Sequence, residues 1–145
     1  MDNTTATVIQ AVQLEQAIDN HTDYLVEQAD ETISEDRMKK LMGQLKLNQL
    51  SNLQAVVSGT SSINAVKNWV RYQMGRKETR RAWQETGLGD AALKRMEQMR
   101  GKAEAIAQTL YGDKATEAQI RAIHIDLVRR YVGYMRRWFV ARGGQ

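Results

Sequence analysis

Apolar residues recur along this chain at helical intervals, and no long stretch alternates with the period of two that a half-buried strand requires. The spacing predicts a first helix over about 5–29, with Val8, Val12 or Leu14, Ile18 and Leu25 along it. Thr32 and Glu35 have capping-box spacing, with Thr32 as N-cap of a second helix that carries Met38, Leu41, Met42 and Leu45. Asn48 or Ser51 is the candidate cap of a third, short helix holding Leu50, Leu53, Val56 and Val57. A loop of Ser, Gly and Thr follows at 58–62, and Ser61 or Ser62 can cap the fourth helix. That helix has Ile63, Val66, Val70 and Met74 on one face, Trp69 and Gln73 at its border, and Gly75 as its stop.

Residues 76–86 read as a basic connector that is itself helical in the broadest reading, giving a basic helical stretch over about 62–86. Gly87-Leu88-Gly89 breaks it, and Asp90 is the expected cap of a fifth helix running to about Tyr111, with Leu93, Met96, Ala103, Ile106 and Leu110 on its core face. Gly112 ends it. Thr116 and Gln119 repeat the capping-box spacing and open a last helix over about 117–141, leaving Arg142–Gln145 as a frayed tail. The expected fold is therefore all-α: a compact bundle of five to six helices forming one domain, 1–145. No repeat of fixed period is visible.

Composition narrows the chemistry. The 145 residues include no Cys, which excludes disulfides, thiolate metal sites and a Cys nucleophile. No apolar run approaches the ~18 residues of a membrane span, and Met1-Asp2-Asn3-Thr4 does not open a signal peptide. A cytoplasmic location with no membrane partner is the expectation. There is no phosphate loop ending in Lys-Ser or Lys-Thr, and Gly87-Leu88-Gly89-Asp90 lacks the third Gly of a dinucleotide fingerprint. His21 and His124 are the only histidines. The neighbours Asp19 and Asp23 stand two residues from His21 and so point elsewhere on a helix, while His124 falls in the apolar stripe of the last helix. The serines look like caps. The expectation is a protein that is not an enzyme and needs no metal or cofactor.

Charge changes the picture more. Residues 1–36 hold nine acids and no Lys or Arg, a net −9. Residues 37–145 hold all 21 Lys and Arg against eight acids, a net +13. Such a split fits a polyanion partner, a self-complementary surface or neutralisation within the chain. Two segments concentrate the positive charge. One comprises Lys67, Arg71, Arg76, Lys77, Arg80 and Arg81, interleaved with Trp69, Tyr72 and Trp83 and opposed only by Glu78. Tyr72 and Trp83 are its candidate stacking rings. The other is the last helix. At about 100° per residue from Ile120, the apolar stripe lies on one side, Arg129 and Arg136 oppose it, and Arg130 and Arg137 lie beside them as a separate ridge. Clustered Arg and Lys with aromatic rings suit phosphate contact and base stacking. The bland alternative is a solvated helix face. A sequence-specific DNA reader is less favoured, because the 34–57 region offers only Arg37, Lys39, Lys40 and Lys46 and no basic start to its second helix.

The strings Leu47-Asn48-Gln49-Leu50-Ser51-Asn52-Leu53 and Ile63-Asn64-Ala65-Val66-Lys67-Asn68-Trp69-Val70-Arg71-Tyr72-Gln73-Met74-Gly75-Arg76 resemble the helical small subunit of type III CRISPR effector complexes. In that family a short helix precedes a longer basic one. The resemblance covers residues 47–76 and implies a non-catalytic structural role. It implies contact with guide RNA and target RNA through Lys67, Arg71 and Arg76, other effector subunits as partners, and stacking with neighbouring copies. Acids from 15–36 of one copy would then meet cations of the next. Two other readings remain open: a helical protein–protein adaptor without nucleic acid, and a DNA-binding regulator.

Overall fold

The computed structural model describes residues 3–145; Asp2, counted above among the acids, lies outside them. The described residues form seven α-helices and no strand: α1 (Asn3–Asp19), α2 (Thr22–Thr32), α3 (Glu35–Leu41), α4 (Leu47–Ser58), α5 (Ile63–Gly75), α6 (Leu88–Tyr111) and α7 (Glu117–Ala141). A π-helical turn, Arg81–Glu85, joins α5 to α6, and a short 3-10 turn, Gly112–Lys114, joins α6 to α7. The all-α expectation holds, with seven helices rather than five to six.

The extra helix comes from a break in the first predicted one. Thr22 Oγ1 donates to the Asp19 carbonyl at 2.7 Å, and His21 Nδ1 lies 3.0 Å from the Ala17 carbonyl oxygen. Side chains thus satisfy carbonyls that a continuing helix would have used, and the chain turns. Three caps also differ from expectation. Ser34 caps α3, accepting from the Arg37 N–H at 3.1 Å, whereas Thr32 is buried and its hydroxyl lies 2.6 Å from the Tyr131 hydroxyl. Lys46 precedes α4, and Gln49 Oε1 accepts its N–H at 2.8 Å; Asn48 and Ser51 lie inside the helix. Gly87, with φ +80, precedes α6, so Asp90 sits in the first turn. Ser62 caps α5 and Thr116 forms the expected capping box with Gln119.

The core is built around α7, which packs against α2, α4 and α6. Beside the expected stripe of Ile123, His124, Leu127, Tyr131 and Met135, it also buries Ile125, Val128, Val132 and Phe139. A helix buried on most of its circumference belongs at a centre, not on a surface. The tail is anchored rather than frayed: Gln145 O accepts the Leu47 N–H at 2.9 Å, and Gly144 N–H donates to Phe139 O at 2.8 Å. At the other end, residues 4–13 of α1 are exposed, including Val8 and Val12 at 57% and 53%. Among the described residues of that helix, Leu14, Ala17 and Ile18 pack on or in the core.

Candidate nucleic-acid interface

The exposed cationic segment is made by the end of α5 and the turn after it. Val66, Val70 and Gln73 of α5 are buried, so Arg71 and Tyr72 face solvent, Tyr72 at 61%. After Gly75 the backbone of Arg76 is extended, and Thr79 Oγ1 donates back to the Gln73 carbonyl at 2.8 Å. Ala82 and Trp83 then plug into the core. Trp83 is fully buried edge-to-face against Trp69, with centroids 5.5 Å apart and planes at 88°. These anchors turn Arg71, Arg76, Lys77, Arg80 and Arg81 outward, all exposed, with Glu78 as the one acid among residues 71–81. Glu78 pairs with Arg76 at 3.2 Å, and Arg80 donates to the Gly75 carbonyl at 3.2 Å. Five cations against one carboxylate make a knuckle of single-sign charge.

Two expected members leave this surface. Trp83 is no stacking ring, because burial of its indole is what holds the turn. Lys67 is only 15% exposed in its side chain and pairs with Glu97 of α6. Burial, and then the neighbouring Arg71 charge, lower the Lys67 pKa below its usual value.

The ridge expected on α7 does not exist as free charge. Arg129 donates to the carbonyls of Val57 and Thr60, at 2.8 and 2.9 Å. Arg136 donates to Ser51 Oγ at 3.1 Å. Arg130 is held by Glu15 and Asp19 of α1, each at 2.7 Å, and by Asp126 at 3.3 Å. Burial alone would lower the Arg130 pKa, but the bonds to Glu15 and Asp19 and the charge of Asp126 raise it well above the ordinary value. Arg137 alone of the four is exposed, 5.6 Å from the Tyr134 ring. The physical reason is the central place of α7: its far side faces α4, and its flank meets the acids of α1. Neutralisation within the chain thus accounts for Glu15, Asp19, Asp30 and Glu31, paired with Arg130, Arg142 and Arg95, while Asp23, Glu27 and Glu35 stay exposed.

A concavity of about 740 Å³ lies between the start of α5, the middle of α6 and the start of α7. Its walls are largely spoken for. Arg100 makes paired bonds of 2.7 and 2.8 Å to Glu117 and one of 2.9 Å to Glu104. His124 is 4% exposed, and its Nε2 donates to the Met96 carbonyl at 2.7 Å. Its pKa is lowered by burial, against the opposing effect of that hydrogen bond. Arg121, exposed at the rim, is a cation that sequence reasoning left out of the candidate set. Among the described residues no group of three His, Cys, Asp or Glu is placed to hold a metal ion, and no helix is long and apolar enough to cross a membrane. Compared with protein-family models, with curated proteins and with solved structures, the chain matches none.

Proposed function

We propose that this protein is a non-catalytic, RNA-binding helical subunit that grips phosphate backbone with the knuckle of residues 71–81. The observation that carries the reading is the concentration there of Arg71, Arg76, Lys77, Arg80 and Arg81 in water, with a single carboxylate among them and Tyr72 exposed beside them. Arginine forks suit bidentate contact to phosphate oxygens. Phosphate contact without base-edge readout gives binding that tolerates sequence. The resemblance of residues 47–76 to type III CRISPR small subunits includes Arg71 and Arg76, and makes guide RNA and target RNA the first polyanions to test and an RNA-guided effector complex the assembly to look in.

The test is the affinity for random single-stranded RNA as a function of salt. Five cations at ~0.7 released counterions each give a log–log slope of at most about −3.5. The combined variant Arg71→Glu, Arg76→Glu, Arg80→Glu, Arg81→Glu should lose RNA binding while keeping wild-type helicity by circular dichroism. Retained affinity in that folded variant rejects the site. A strong preference for one DNA duplex over random duplex at matched salt would replace the reading with that of a DNA-binding regulator.

A further inference from the structure

We infer that the concavity beside the knuckle receives an unstacked nucleobase of the bound strand, with the Gln73 side-chain amide meeting its edge. The inference rests on the RNA-binding reading and extends it from phosphate to base. The concavity holds about 420 Å³ between the start of α4 and the end of α5, within the range of small-ligand sites. No aliphatic side chain lines it. Asn48 and Asn52 are exposed on its α4 side, Trp69 and Gln73 lie on its α5 side, and Arg76 belongs to both this lining and the knuckle. Phosphate and base subsites are therefore adjacent.

Gln73 is the decisive residue. It is 7% exposed and its carbonyl accepts from Thr79; its side-chain amide makes no hydrogen bond with any described residue and keeps its small exposure toward the concavity that it lines. In the free protein water meets the amide's donor and acceptor, and both are open to exchange with the polar edge of a ligand. An amide carries a donor and an acceptor side by side, and so does an edge of every nucleobase. Turning the amide over exchanges the two, so Gln73 can match either order and capture bases with little preference. Trp69, half-buried and fixed edge-to-face on Trp83, supplies a rigid aromatic wall. Other candidates carry less: the indole N–H of Trp83, the one fully buried side-chain polar atom without a partner among the described residues, does not line the concavity, and the cleft at the start of α5 is occupied by its own ion pairs.

The test uses the full chain, oligouridine of about 12 nucleotides and an RNA duplex of equal length, because bases in a duplex stay paired and stacked. Gln73→Leu keeps the apolar bulk and removes the amide. Expected are a roughly tenfold loss of affinity for the single strand, unchanged affinity for the duplex, an unchanged salt slope and a melting temperature no lower than wild type. Asn52→Ala, at an exposed position, should weaken only single-strand binding, by a few-fold. Single strand, but not duplex, should quench tryptophan emission, and Trp69→Phe should abolish the quenching. Wild-type single-strand affinity in a folded Gln73→Leu protein overturns the inference while the knuckle stands. So does an equal loss on both RNAs. Should Gln73→Leu not fold, wild-type binding by Asn52→Ala together with absent quenching overturns it. If instead the four-glutamate variant binds normally while Gln73→Leu does not, the knuckle reading falls and the base pocket remains.

Discussion

Arg37, Arg95 and Arg142 converge on the carboxyl end of α2. Arg37 donates to the carbonyls of Glu31 and Thr32 at 3.2 and 2.8 Å, Arg95 to that of Gln28 at 3.1 Å, and Arg142 to that of Ile33 at 2.6 Å. The last carbonyls of a helix lack intrahelical partners and form its negative end. A glycine with positive φ often satisfies them, but here the residue after α2 is Ile33, with φ −102, and arginine forks do the work instead. Arg129 does the same for the end of α4. Arg142 also lies 4.2 Å from the Trp138 ring and pairs with Asp30. Its replacement, Arg142→Ala, should therefore cost about 1–3 kcal/mol in urea unfolding. Arg137→Ala, at an exposed position, should stay within about 0.5 kcal/mol. Equal effects would mean that the carbonyl bonds contribute nothing to stability.

Between elements the contrast is α7 against α1. Around α7, Ile125, Val128, Val132 and Phe139 stand at roughly 80–140° from Ile120, a second apolar stripe beside the first. That stripe was the signal that Arg129 and Arg136 border a packed face. The start of α1 has the opposite character. Residues 4–13 carry no charge and are exposed, and an isolated helix of that length is marginal in water. Substitution should expose the difference. Val132→Ala removes two methyls from a fully buried site and should cost about 2 kcal/mol. Val8→Ala and Val12→Ala should each change stability by less than about 0.5 kcal/mol. Denaturation curves of the three variants at one pH check both statements.

For the whole molecule, His124 couples stability to pH, because it is buried at the joint of α6 and α7. Its pKa in the folded chain lies below the ordinary value of 6.5, chiefly through burial. The unfolded chain then binds a proton that the folded one refuses. Stability is full above about pH 6.5 and falls as pH drops toward the folded pKa, by at most ~1.4 kcal/mol per unit. Thermal melts from pH 7.5 to 5 should show this slope, and His124→Gln should flatten it. Much of this fold was legible in advance where the cause is local. Ser62 and the Thr116–Gln119 pair were readable as caps because cap and amide are three residues apart. The placement of Arg130 was not, because Glu15 is 115 residues away in sequence. Nor was the unpaired amide of Gln73, which periodicity set only at the border of a stripe. By itself the sequence determined helical content, the caps at Ser62 and Thr116 and the run of cations over 71–81, since these follow from spacing within a few residues. Only the tertiary structure decided which of those cations remain in water. Whether an arginine meets a carbonyl, a carboxylate or solvent depends on which helix lies across from it, and that is set by packing around α7.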